Sequence, residues 1–132
     1  MVMLALLIYH ETNLNFEMID YTQWSRKVYS SIRNIADLDF QKRAWMGGGN
    51  EVSSYVETIA SLLDDSFFDE FLDEAARSET KLDDDSWAAM DKLRKLIYSY
   101  QELETDSAIL EDPKWHEIVN QAKFIVRATE IS

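Results

Sequence analysis

The chain has 132 residues, 46% of them hydrophobic, and no cysteine. That fits one domain with its own core, argues against intrinsic disorder, and excludes disulfides, thiolate zinc sites and cysteine nucleophiles. Its net charge of −12 and pI near 4.4 also argue against direct nucleic-acid binding, because phosphate contacts rely on basic side chains that release counterions.

The opening stretch from Met1 to Tyr9 is apolar, but it lacks the basic leader and small-residue cleavage site of a signal peptide and is too short to span a bilayer. Residues 1–17 are expected to form an extension, a strand or short helix, packed on the helical domain. Met18 offers a second initiation codon. With no cysteine to protect or oxidise, a reducing cytoplasm is the simplest location.

Proline occurs once, and the only glycines are Gly47, Gly48 and Gly49, so almost every other stretch is free to be helical. Asp20 followed by Gln23 has the capping-box spacing, and Tyr21, Trp24, Val28, Ile32 and Ile35 then recur at helical intervals. They predict a long amphipathic helix ending near Ala36. Asp39 is placed to cap a short helix from Phe40 to Met46, which the glycine run terminates.

Ser54 and Glu57 predict the next start, with Tyr55, Val56, Ile59, Leu62 and Leu63 as its apolar stripe and Asp64-Asp65 as its end. Asp65 or Ser66 caps a following short helix. Its apolar side holds Phe67, Phe68, Phe71, Leu72 and Ala75, and Asp69, Glu70, Asp73 and Glu74 form a solvent-facing ribbon opposite. Asp83, Asp84 and Asp85 then begin a long helix, where acids complement the positive end of the dipole. Trp87, Met90, Leu93, Ile97 and Tyr100 make its stripe. Asp112-Pro113 is the strongest start signal in the chain, and Trp115, Ile118, Val119, Ala122, Ile125 and Val126 follow at a period of 3.6. The expected architecture is all-α, a compact single-domain bundle of five or six helices.

No sequence pattern for catalysis stands out. There is no GxSxG and no Ser-His-Asp context, and His116 reads as a polar-face histidine of the last helix. Asp83 to Asp85 are consecutive and precede Ser86, where a calcium loop needs alternating donors and a glycine, and the ExxH of di-iron bundles is absent. Gly47-Gly48-Gly49-Asn50 lacks the strand, lysine and hydroxyl of a phosphate loop. Neither a metal nor a cofactor is expected, and the chain reads as a non-enzyme. Membrane binding is disfavoured too, because anionic lipid attracts basic faces and the only sizeable net-basic stretch, Met18 to Met46, carries +2.

Asp37-Leu38-Asp39-Phe40-Gln41 leading to Trp45, the segment Leu62-Leu63-Asp64-Asp65, and Leu110-Glu111-Asp112-Pro113-Lys114-Trp115 with Ala122 together form a pattern. It resembles a group of small acidic helical bacterial proteins, some of which look like immunity proteins that neutralise toxins of the contact-dependent growth inhibition type. The resemblance spans Asp20 to Ala128. It implies a helical fold and a toxin-neutralising role, and it brings no catalytic residues with it.

The charge pattern agrees with that implication. Between residues 64 and 85, ten carboxylates meet only Arg77 and Lys81, a local net charge of −8. Charge so concentrated repels itself, and it suits attraction of a basic protein partner, raising association rates toward about 10⁸ M⁻¹s⁻¹. The expected function is that of an immunity protein occluding the active site of a basic toxin nuclease. Asp64, Asp65, Asp69, Glu70, Asp73 and Glu74 are the expected contacts, Asp83, Asp84 and Asp85 a second contact, and Phe68 or Trp45 an apolar anchor. The alternative is a regulatory or adaptor module that docks a basic or helical partner through an apolar groove.

Overall fold

The computed structural model describes the backbone of residues 14–47, 52–77 and 82–131, and the side chains of residues 21–47, 52–77 and 82–129. The described residues contain helices and turns and no strand: α1 (Leu14–Ala36), α2 (Leu38–Trp45), α3 (Tyr55–Ala60) running into a π-helical turn (Ser61–Asp65), α4 (Phe68–Arg77), α5 (Asp84–Ser99), α6 (Asp106–Leu110) and α7 (Pro113–Ile131). The all-α expectation holds. Residues 1–13, Gly48, Gly49 and Lys81 lie outside the described residues, so the expected N-terminal strand or helix and two of the three glycines fall there.

Helix α7 is the central element, packed by α1 and also by α5. Trp115, Ile118, Val119, Ala122 and Ile125 are all buried along its predicted face. Asp112 caps it by accepting from Lys114 N at 3.0 Å, and Pro113 occupies the first helical position, where no amide donor is needed. The facing stripe of α1 is the predicted one: Trp24, Val28, Ile32 and Ile35 are buried.

Helix α1 nevertheless begins at Leu14, so Asp20 lies inside it and does not cap it. No glycine or proline between Leu14 and Ile19 stops the helix from propagating through the capping-box pattern. A second boundary moves by two residues. Asp37, not Asp39, caps α2, its Oδ1 accepting from Phe40 N at 3.0 Å. Both aspartates stand near the start, and Asp37 has the non-helical backbone that lets its side chain reach the third residue on.

Gly47 does adopt positive φ, at 71°, where the chain leaves α2. Ser54 caps α3 as expected, accepting from Glu57 N at 3.0 Å. A polar tie closes the far end of this part of the fold. Gln41 is fully buried; it donates to the Asn34 and Ile35 carbonyls at 2.9 Å each and accepts from Trp115 Nε1 at 3.0 Å. One side chain therefore satisfies carbonyls at the end of α1 and a buried indole on α7; the Asn34 carbonyl also accepts from Asp37 N at 3.4 Å.

Aromatic rings fill two regions of the core. Trp115 meets Tyr55, Trp45 and Tyr100 at centroid distances of 5.4, 5.7 and 5.9 Å, and Phe71 meets Trp24 and Tyr21 at 5.4 and 5.6 Å. Stacked, tilted and edge-on pairs of this kind each contribute about 0.5–1.5 kcal/mol beyond area burial.

Candidate functional site: an acidic groove between α4 and α5

The segment leading into α4 is fixed by hydroxyls. The π-helical turn carries the bond from Ser66 N to Ser61 O at 3.0 Å, and that widened turn brings Ser61 and Ser66 against α1. Ser31 Oγ lies 3.0 Å from Ser61 Oγ and 2.8 Å from Ser66 Oγ, while Ser66 Oγ donates to Ser61 O at 2.7 Å. Trp24 Nε1 donates to Ser66 O at 2.6 Å. Ser66 is thus occupied with α1 and its own turn, and the expected cap of α4 by Ser66 or Asp65 gives way to a backbone start in which Phe71 N bonds to Phe67 O at 2.9 Å.

Phe67 has φ of 52° and is the only described non-glycine residue with positive φ. A bulky side chain in the left-handed region is strained by about 1–2 kcal/mol. The reversal turns Phe67 outward to 36% exposure and leaves Phe68, at 0%, as the first member of the buried stripe with Phe71, Leu72 and Ala75.

Two expectations about apolar anchors are therefore corrected. Phe68 is core, because it starts the i, i+3, i+4, i+7 series that packs inward, and the outward phenylalanine is Phe67. Trp45 is core as well. It shares the inner face of α2 with Gln41 and Ala44, and its Nε1 donates to Thr58 Oγ1 at 3.2 Å.

The groove between α4 and α5 has an open volume of about 680 Å³ and is lined by Asp69 and Asp73 from α4 with Asp91, Arg94, Lys95 and Tyr98 from α5. The two helices are held together by Trp87, whose Nε1 donates to Leu72 O at 2.8 Å, and by apolar contacts of Phe71 and Leu72 below. Arg94 organises the groove. Its Nη2 and Nε donate to Asp91 Oδ1 at 2.7 and 3.2 Å, its Nη1 donates to Asp73 Oδ1 at 3.3 Å, and the same nitrogen is 3.8 Å from Asp69 Oδ1.

Lys95 Nζ adds a contact of 3.0 Å to Asp91 Oδ2. The Tyr98 hydroxyl donates to Asp69 Oδ2, and Asp69 Oδ1 is buried without a hydrogen-bond partner. Burial alone would push the Asp91 carboxyl up, but hydrogen bonds from Arg94 and Lys95 and their charges together hold it below the usual range. The bond to Asp69 is the main cause raising the Tyr98 hydroxyl to about 12, with burial second.

Nine of the ten carboxylates, all but Glu79, which lies outside the described residues, thus fall into groups with different roles. Asp83 caps α5, accepting from Ser86 N at 2.7 Å, and that bond holds its carboxyl below the usual range. Asp84 and Asp85 lie exposed in the first turn beside it. Asp69 and Asp73 lie in the groove under Arg94, while Glu70 and Glu74, on the adjacent row of α4, do not line it. Glu74 instead pairs with Arg77 at 3.0 Å. Asp64 and Asp65 stand exposed at the π-helical turn.

Cations of α5 therefore offset part of the −8 from a neighbouring helix. Arg94, Asp91, Lys95 and Tyr98 are site residues that the sequence reading missed. The available signal was the i, i+3, i+4 spacing of Asp91, Arg94 and Lys95, a polar row beside the apolar stripe.

Chemically, the arrangement is a guanidinium surrounded by the carboxylates of Asp69, Asp73 and Asp91. Among the described residues no group of three His, Asp or Glu side chains is arranged to hold a metal ion. His116 is committed to structure, its Nε2 donating to Leu110 O at 2.6 Å. No described helix is long and apolar enough to cross a membrane.

No curated protein and no solved structure matches the chain. A family model does match, over residues 19–130, from within α1 to the last turn of α7. The chain accordingly belongs to the family described as Domain of unknown function (DUF7945).

Proposed function

We propose that this chain is a cytoplasmic, non-enzymatic immunity protein that binds a basic toxin domain, a nuclease, and covers its active site. The observation that carries the reading is the concentration of carboxylates from the π-helical turn to the first turn of α5, of which Asp64, Asp65, Asp73, Asp83, Asp84 and Asp85 are exposed. Lysines and arginines that hold substrate phosphates in a nuclease would meet these groups. Arg94 and Lys95 already pair with the groove carboxylates Asp73 and Asp91, which favours exchange of ion pairs with a partner over binding of a lone metal ion.

Within this reading Phe67 takes the anchoring role first given to Phe68 and Trp45. It is aromatic, outward, and preceded by Asp64 and Asp65, a combination suited to a partner pocket rimmed by cations. Steering by complementary charge acts on the association rate and weakens with salt.

The test begins with affinity purification of the full chain from its native host and identification of the bound protein by mass spectrometry. A basic toxin fragment is expected. Charge reversal at Asp64, Asp65 and Asp73 should then slow its association by roughly tenfold or more and flatten the salt dependence. An unchanged rate and salt dependence, or a bound protein without basic character, overturns the reading.

A further inference from the structure

A second groove, sharing no residue with the acidic one, lies between the end of α1 and the outer side of α7. Arg33, Ala36, Asp37, Lys123, Val126 and Arg127 line its volume of about 400 Å³. In a chain of net charge −12, three of its cations surround this one opening. Lys123 and Arg127 stand one turn apart on α7, a like-charge spacing that repels, and Arg33 brings a third positive group from the last turn of α1.

Neutralisation within the protein does not explain the grouping. Arg77, Arg94, Lys95 and Lys114 each have a carboxylate partner, whereas among the described residues none of Arg33, Lys123 and Arg127 forms an ion pair. The one carboxylate in the lining, Asp37, is engaged at the start of α2, accepting from Phe40 N. The floor between the cations is apolar, made by the partly buried Ala36 and Val126.

We propose that this groove binds a short acidic peptide segment of a partner protein, its carboxylates paired with Arg33, Lys123 and Arg127 and an aliphatic side chain laid on Ala36 and Val126. Guanidinium groups match carboxylates in a two-bond fork. The volume is within the range of preformed ligand sites. A bare inorganic anion would leave the apolar floor uncovered, and an extended polyanion or an anionic membrane would face the repulsion of a chain whose net charge is −12. A short peptide meets both the charge and the floor while presenting little further negative charge. An incoming anion also relieves the repulsion between Lys123 and Arg127.

The experiment is a titration of the ¹⁵N-labelled full chain, followed by amide chemical shifts, with the probe peptide acetyl-Glu-Leu-Glu-Leu-Glu-amide. Expected are saturable shifts at Arg33, Ala36, Val126 and Arg127 with none around Asp69 and Asp73. Replacing the probe's leucines with serines should weaken binding several-fold, and R33E/R127E should weaken it by roughly tenfold or more. Both arginines are exposed, and R33Q/R127Q serves as a milder second variant, with circular dichroism confirming that each folds. Absence of saturable shifts, equal binding by R33E/R127E, or equal binding of the serine probe overturns the proposal. So does saturation of the same amides by inorganic phosphate or by phosphatidylglycerol vesicles at the peptide's concentration, which would assign the groove to phosphate-bearing ligands instead.

Discussion

Arg94 reaches from α5 to the Asp73 carboxylate of α4 at 3.3 Å while holding Asp91 on its own helix at 2.7 Å. The two contacts differ in weight. Asp73 is 58% exposed, so water screens its pair and little stability comes from it, whereas the Asp91 side chain is 12% exposed and depends on its cation.

Replacing Arg94 with methionine keeps the stem and removes the charge. The Asp91 carboxylate then loses its closest partner, and the expected loss is about 1–3 kcal/mol, read as a lower urea midpoint. In R94M/D91N the loss should be smaller than the sum of the single losses, because the two groups share one interaction. Additive losses would show that the pair is not the stabilising unit.

The same carboxylate sets an acid limit. Its pKa in the folded state lies below the unfolded value, so its stabilising contribution is full above the unfolded value near 3.9 and is lost as pH falls through the folded one. Stability measured between pH 6 and 2 should fall most steeply below about pH 4, and R94M should flatten that slope. A slope unchanged by R94M would assign the acid sensitivity to other groups.

At the alkaline end the tyrosines act with the opposite sign. Tyr21 and Tyr55 are raised to about 12 chiefly by burial, and Tyr98 to about 12 chiefly by its bond to Asp69. Raised values favour the protonated fold below the unfolded value near 10, and that stabilisation disappears as pH climbs through the folded values. Absorbance at 295 nm should show part of the tyrosine signal resisting ionisation past pH 11. In Y98F, one late-titrating group should disappear from the curve.

Phe67→Gly removes a side chain that is partly in water and frees the backbone from the left-handed penalty. A gain of about 1 kcal/mol in unfolding free energy is expected, the relief of strain exceeding the extra entropy of a glycine in the unfolded chain. Phe67→Ala keeps the strain and should give no gain. Equal behaviour of the two variants in urea denaturation would remove strain as the explanation. If Phe67 also anchors a partner, F67G will be more stable and bind less tightly.

Gln41→Leu is close in size but leaves the Trp115 indole and the Ile35 carbonyl without their bonds, while the Asn34 carbonyl keeps the one from Asp37 N. Roughly 3 kcal/mol of destabilisation is expected, since each stranded buried group costs about 1–3 kcal/mol. A calorimetric melting temperature within a degree of the parent would contradict this.

Periodicity and punctuation made most of the fold legible. The stripes of α1, α5 and α7 are the buried faces, and Asp112-Pro113, Ser54 and Asp83 begin helices where their chemistry says they should. The failures have a common origin in competition among neighbouring polar residues. Asp37 and Asp39 both offer caps, and only the backbone conformation decides between them. Ser66 looks like a cap but hydrogen-bonds across to α1 and back to its own turn. In the Phe67-Phe68 pair the stripe could begin at either ring until the left-handed turn selects Phe68.

The groove was harder to read because its defining contact joins helices whose relative placement is tertiary information. Asp69 and Asp73 were visible as a charged ribbon. That Arg94, twenty-one residues beyond Asp73, lies over them depends on Trp87 and Leu72 locking α4 to α5.

The pairing of α1 with α7 also governs the order in which the protein can assemble during synthesis. The apolar stripe of α1 leaves the ribosome before the helix that covers it is made, by roughly 5 to 20 s at ordinary elongation rates. Throughout that interval Val28, Ile32 and Ile35 lack the cover of α7, and α1 has only the elements from α2 to α4 to pack against. Closure of the bundle therefore waits on α7.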